Sequence, residues 1–322
     1  IARRGTADPQ AYEMYRRGRW FWTQRTPDAL EQAVRYFNGA LARDSNYADA
    51  YTGLADAYLV SYQLGFGISE DSAYSRQKWA AERALALDDA SADAHTSAGI
   101  SLGWQGNWPG AERELKRALE LNPGNASARG WYAGLLGGMG RLAEAREQAR
   151  RAYETDPFAI IVSITYAFAN YLLADYDAAV DQYRKTLELN PDWEAALRQA
   201  SLIYSHQGRH EPALELTARV LKLRPNSSLV LPDVAYVYAR AGKTAEARAL
   251  LQRAKQNNVE PFDVGRAYVA LGEPDSAFVW LERSHWKWPH RAALADPALD
   301  PLRGDPRFKE LTARVERAVG LR

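Results

Sequence analysis

The stretch LELNPGNASARGWYAGLLGGMGRLAEAREQARRAYETDP, residues 119–157, carries one full period of a repeat. Its first five residues return unchanged at 187–191, and the prolines at 123, 157, 191 and 225 stand a constant 34 residues apart. If proline is position 32 of the period, position 20 is Ala111, Ala145, Ala179 and Ala213. Position 8 is Gly99, Ala133, Ala167 and Ser201, and position 15 is Gly106, Gly140, Ala174 and Gly208. Each position has a physical reason. Short side chains at 8 and 20 let two antiparallel helices approach closely. Glycine at 15 gives the first helix a left-handed stop. Proline at 32 restricts the residue before it and ends the second helix.

A 34-residue helical hairpin with this pattern is the tetratricopeptide repeat. The pattern predicts an all-α chain, a right-handed superhelical solenoid of about eight hairpins over residues 11–291. Residues 1–10 read as a linker from a domain upstream. Beyond the four best periods, Gly242 with Ala247 marks one hairpin, and Gly265, Tyr268, Gly272, Ala277 and Pro289 mark another. Upstream, Tyr51, Leu54, Ala55, Tyr58 and Ala84 form a hairpin with a long insertion near 61–75. Gly18, Ala33, Phe37 and Ala40 form the first. A solenoid needs a cap with one polar face, and residues 292–322 fit that need. Asp305 and Pro306 make a helix start, with Phe308, Leu311, Val315 and Ala318 on one face. Leu299 and Leu302 are expected to cover the last hairpin.

Composition excludes several function classes. Lys and Arg number 41 against 40 Asp and Glu, so there is no basic excess of the kind a nucleic-acid footprint needs. There is no Cys for a disulfide or a thiolate metal site. AIIVSITYAFANYLLA, 159–174, is shorter than the ~20 residues of a membrane span and carries Ser163, Thr165 and Asn170, so it reads as a buried helix. The chain starts at Ile1 with no apolar run behind its arginines, which is not a signal peptide and suggests a piece of something longer. Most of the ten Trp are expected in hairpin cores, and HWKWPH, 285–290, in helix-end packing.

Two stretches resemble a known family. AYEMYRRGRWFWTQRTPDALEQAVRYFNGALARDSNYADAYTGLADAY, 11–58, and LDPLRGDPRFKEL, 299–311, look like the C-terminal repeat region of large bacterial regulators. There the region follows a TolB-like domain, with a serine/threonine kinase, winged-helix or adenylate cyclase domain further upstream. The resemblance implies a sensory or partner-binding part of a signalling protein. It implies the cytoplasm, or the extracytoplasmic side where a transmembrane helix precedes the region; the cytoplasm is favoured.

The first helix of each hairpin should line a concave face through positions 2, 5, 9, 12 and 13. In the fifth repeat these are Ile161, Ile164, Phe168, Tyr171 and Leu172, more apolar than a solvent-facing stripe requires. The fourth repeat offers Gly130, Gly134, Gly137 and Gly138, a trough that costs helix stability. Trp104 could close one side, and Arg198, His206, Tyr236 and Arg240 add polar groups on the other. Several readings stay open: a groove for a peptide or protein segment, a hollow for a small ligand, plain packing in which the glycines let neighbouring helices approach and Phe168 and Tyr171 fill the gap as core, or an interface for self-association into a homo-oligomer. The Lys-Asn pair of the carboxylate-clamp repeats is missing, which disfavours a chaperone-tail adaptor. No catalytic motif, cofactor loop or HExxH is present, and His206 and His210 flank a turn rather than share a helical face. The chain reads as non-enzymatic, with no cofactor and no metal.

Overall fold

The computed structural model describes residues 5–64, 66–256, 259–284 and 290–318. The expected packing of HWKWPH therefore lies outside the described residues. Among the described residues every regular element is helical. The chain divides into two compact units, Ile1–Tyr132 and Ala133–Arg322.

The first unit stacks three helical hairpins: α1 (Pro9–Thr23) with α2 (Pro27–Arg43), α3 (Ala48–Gln63) with α4 (Glu70–Leu87), and α5 (Ala92–Trp104) with α6 (Trp108–Leu121). The unit boundary falls inside α7 (Ala126–Gly138), which is followed by α8 (Leu142–Thr155). The second unit continues with α9 (Ile160–Leu172) and α10 (Tyr176–Leu189), then α11 (Glu194–His206) and α12 (His210–Leu223). α13 (Leu231–Arg240) pairs with α14 (Thr244–Ala254), and α15 (Pro261–Ala270) with α16 (Pro274–Leu281). Two 3₁₀ segments, His290–Ala295 and Pro297–Leu302, precede α17 (Pro306–Ala318).

The repeat positions do in space what their chemistry requires. Side chains of Asp8, Thr26, Ser91, Asn107 and Asp175 accept hydrogen bonds from amides of the first helical turn, which would otherwise be unpaired. Gly106, Gly140, Gly208, Gly242 and Gly272 all take φ of 73–79° at the hairpin turn. Ala174 occupies the same position with φ 59°, so it holds a left-handed backbone with a Cβ attached. There the Asp175 amide reaches back to the Asn170 carbonyl at 3.0 Å. Position 8 is small because position 20 is close: a Cβ on Gly265 would lie 3.3 Å from the Ala277 carbonyl oxygen and 2.9 Å from Leu281.

The array begins earlier than expected from sequence, since α1 starts at Pro9, and the C-terminal segment makes contacts beyond those of a cap. Residues 5–10 are part of the first hairpin rather than a linker. Asp8 caps α1, its carboxylate pairs with Arg43 at 3.0 Å, and Thr6 donates to Asp44. Residues 292–318 do two jobs. Leu294, Leu299, Leu302, Phe308, Leu311 and Val315 close the apolar end of α15 and α16 around Phe262, Phe278 and Leu281. Ala292, Ala295 and Ala298 instead turn inward, against the first helices of the preceding hairpins.

Candidate functional site

In the second unit α9, α11, α13 and α15 are the first helices of successive hairpins; the binding groove was expected on the first three, and α15 follows them. The side chains of their shared face are largely covered, and the 3₁₀ pair at 290–302 is what covers them. Ala292 packs in one cluster with Ala167, Tyr171, Leu172 and Ile203. Ala298 packs with Leu202, Val234 and Tyr236. The segment can lie this low because it offers methyl groups where a helix of ordinary composition would offer longer side chains.

Between those alanines Asp296, 3% exposed, is the polar centre of the contact. Its Oδ1 accepts from the Tyr171 hydroxyl at 2.5 Å and from the Ala298 amide at 2.8 Å, and its Oδ2 accepts from Arg266 Nη1 at 3.1 Å. Burial and the Asp296 charge push the Tyr171 phenol well above its ordinary range, which fixes it as the donor. Arg266, 5% exposed, lies with its guanidinium 5.7 Å from the Tyr236 ring centre and 5.4 Å from that of Phe262. Its Nη2 donates to Asp233 and, at 3.1 Å, to Asp263. Asp233, 1% exposed, is shared with Arg198, whose Nε donates to Glu194 at 3.0 Å.

Two guanidiniums and four carboxylates thus form one chain of ion pairs, Glu194–Arg198–Asp233–Arg266, with Asp263 and Asp296 at its end. Acid is in excess. Burial, with Asp233 alongside, pushes the Asp263 carboxyl up to about 7. Opposing charges in this setting recover their desolvation cost only when every one is paired, so the arrangement is sensitive to loss of any member.

The expected site residues fall as follows. Phe168 and Tyr171 neighbour each other, with ring centres 6.3 Å apart, and Tyr171 meets the His206 ring edge-on at 6.5 Å. Ile164 packs half-buried at the margin of the same cluster. Arg240 donates to the His206 carbonyl at 3.4 Å, and burial together with the Arg240 charge lowers the His206 pKa. Gly134 lines a small hollow with Gly137, Phe168, Ala169, Leu172 and Ala292. About 30 Å³ of free space remains there, room for about one water and far below a drug-sized pocket. Two of the glycines are not explained by crowding: a Cβ at Gly137 would stand 3.9 Å from that of Ala292, an ordinary contact, and one at Gly130 would meet nothing. Gly138 is buried. Gly130 and Trp104 belong to the first unit, where Trp104 sits edge-on to Tyr62, 5.4 Å between ring centres.

On the groove reading Tyr171, Tyr236 and Arg198 would be open, but Tyr171 and Tyr236 are buried, as the packing alternative has it for Tyr171, and Arg198 is held by carboxylates. The reason is the occupant, an element outside the repeat whose position no periodicity encodes. Residues 292–322 were read as a cap, and within them Asp296 also supplies the carboxylate on which the inner face closes. Arg266, Asp233 and Asp263 were missed. Their signal was a single Asp within the apolar run LVLPDVAYVYA, 229–239, and an Arg beside the small residue Gly265.

Two family models described as tetratricopeptide repeat match residues 105–162 and 168–228. A stretch of 86 residues is 30% identical to the photosystem I assembly protein Ycf3 of Prochlorococcus marinus (strain MIT 9211), covering 26% of this chain and 50% of that protein. The chain thus spans about half the length of the curated relative it matches. A tetratricopeptide repeat protein from Parabacteroides merdae superposes with a TM-score of 0.54 at 16% identity, over 82% of this chain and 98% of that one. The human IFIT1 dimer with PPP-AAAA superposes at 0.61 and 16% identity, over 80% and 68% respectively. At such identity the two structures speak to the fold alone. The hairpins within these two matched stretches are tetratricopeptide repeats, and such repeats indicate a protein–protein interaction scaffold. Among the described residues no helix is long and apolar enough to cross a membrane, and no group of three His, Cys, Asp or Glu could hold a metal ion.

Proposed function

We propose that this array of tetratricopeptide repeats is a non-catalytic binding module that takes a peptide or protein segment along the inner face of α9, α11, α13 and α15. One observation carries the reading: that face already holds a short 3₁₀ stretch of chain, around residues 292–298, through methyl groups and one buried carboxylate. A surface that binds such a segment in cis has the shape and polar anchors to bind one in trans. Within the second unit Gly134, Gly138, Ile164, Phe168, Tyr171, Arg198, His206, Tyr236 and Arg240 remain the proposed binding set, now with Arg266 added; Trp104 and Gly130, in the first unit, are not part of it. The resemblance at 11–58 and 299–311 supports a place as the sensory or partner-binding part of a bacterial signalling regulator. The named relative, an assembly protein, fits a chain that holds other proteins. The charged groups described above are tied to one another, an arrangement suited to holding a ligand rather than transforming it.

The test is selection of peptides from a displayed library on the intact chain. Hydrogen exchange then locates the bound peptide, and the measurement is repeated on Phe168→Ala. Protection confined to α9, α11, α13 and α15, weakened by the substitution, is the expected result. Protection elsewhere, or binding indifferent to Phe168, overturns the reading.

A further inference from the structure

The contact between 290–298 and the inner face is unlike the packing inside the hairpins. It rests on three alanine methyl groups and one carboxylate, and part of the segment's own hydrogen bonding is internal. The Asp296 amide donates to the Ala293 carbonyl at 3.0 Å, and the Leu299 amide to the Asp296 carbonyl at 3.0 Å. The site that receives the carboxylate is built without it. Asp233 and Asp263 fix one edge of the Arg266 guanidinium and the rings of Tyr236 and Phe262 flank it, so Nη1 is aimed inward whatever sits opposite. Tyr171 comes from α9 and Arg266 from α15, two helices that both belong to the array.

We propose that residues 290–298 are a built-in competitor for this face. The partner that replaces them is a short peptide segment of small apolar residues around one Asp or Glu, turned as the 3₁₀ segment is, whose carboxylate enters the Tyr171–Arg266 site. This rests on the peptide-binding reading above and adds the chemistry of the partner. Two buried donors left without an acceptor are costly, so an opened face discriminates for a carboxylate and against a purely apolar chain. The small side chains follow from how closely Ala292 and Ala298 approach the helices, where a longer chain would meet Phe168 or Tyr236. Leu294 and Leu299, held in the cap cluster, keep the competitor beside its site. A tethered segment acts at an effective concentration in the millimolar range, so an outside peptide meets a face that is mostly closed.

The test uses the full chain and, as probe, a fluorescein-labelled peptide of residues 290–303, HRAALADPALDPLR. Anisotropy titrations compare the parent chain with Asp296→Ala, and circular dichroism with hydrogen exchange follows the fold. We expect the substitution to tighten probe binding by at least about 10-fold, because it frees the face. A probe whose central Asp is replaced by Asn should bind neither chain measurably. Adding Tyr171→Phe to Asp296→Ala should reverse the gain. The proposal falls if the substituted chain stays folded and binds no better than the parent, or if it binds both probes equally. It also falls if Asp296→Ala exposes α13 and α15 to exchange, since the segment would then be core. A displayed peptide library on the same two chains separates the two readings. Inner-face binders without a carboxylate would leave peptide binding standing and remove only this inference, whereas no binder to either chain removes both.

Discussion

Replacing Arg266 by Met isolates the electrostatics of the inner face. Methionine has nearly the length of the arginine stem and can fill the space between Tyr236 and Phe262, so the volume term is small. What is lost is the positive charge facing Asp233, Asp263 and Asp296. Removing one partner of a buried ion pair usually costs about 3–5 kcal/mol, because the remaining charge stays desolvated. Two features place this case near the lower end, at about 3 kcal/mol. Asp233 keeps Arg198, and Asp296 keeps the Tyr171 hydroxyl and the Ala298 amide. Asp263, with 19% of its side chain exposed, can turn towards water. Urea unfolding followed by circular dichroism measures the loss, at about pH 7.5 and again at about pH 5.5. Orphaned carboxylates take up protons as the pH falls, so the gap between variant and parent should narrow by about 1 kcal/mol or more, the worth of about one pKa unit. A loss below about 1 kcal/mol at the higher pH, or a gap that stays constant, would refute the account of this network as mutually dependent charges.

Three further outcomes follow from the fold. Ala174→Gly removes a Cβ from an exposed left-handed position and should stabilise the chain by about 0.5–1 kcal/mol, while a loss on urea unfolding would show that φ 59° is unstrained there. Phe308→Ala, which empties a core position between the last hairpin and α17, should cost about 3–5 kcal/mol and speed amide exchange in α15 and α16 first; uniform exchange along the second unit would contradict it. The raised Asp263 pKa means that the folded state holds this proton more tightly than an unfolded Asp does. Its contribution to stability is complete below about pH 4 and drains away as the pH rises through about 7. Asp263→Asn should therefore gain on the parent between about pH 5 and pH 8, and two parallel stability curves would count against the shift.

The amino-acid sequence determined the hairpins themselves, and the reason is local. Small residues at positions 8 and 20, a left-handed residue at 15 and a proline at 32 act within one period, so Gly265 against Ala277 or Ala174 at its turn can be read without knowing any neighbour. The cap helix from Pro306 was legible for the same reason. The sequence also marked the apolar stripe of Phe168, Tyr171 and Leu172 as anomalous, but it could not say what meets that stripe. Only the tertiary structure decided that. It brings Asp296 to Tyr171, 125 residues away in the chain, and sets Arg266 between carboxylates from three different segments. A long-range contact of this kind depends on the path of a segment outside the repeat, and on charges whose pairing leaves no trace in periodicity. The inner face was visible from sequence as a surface, and became a closed, acid-anchored one only in the folded chain.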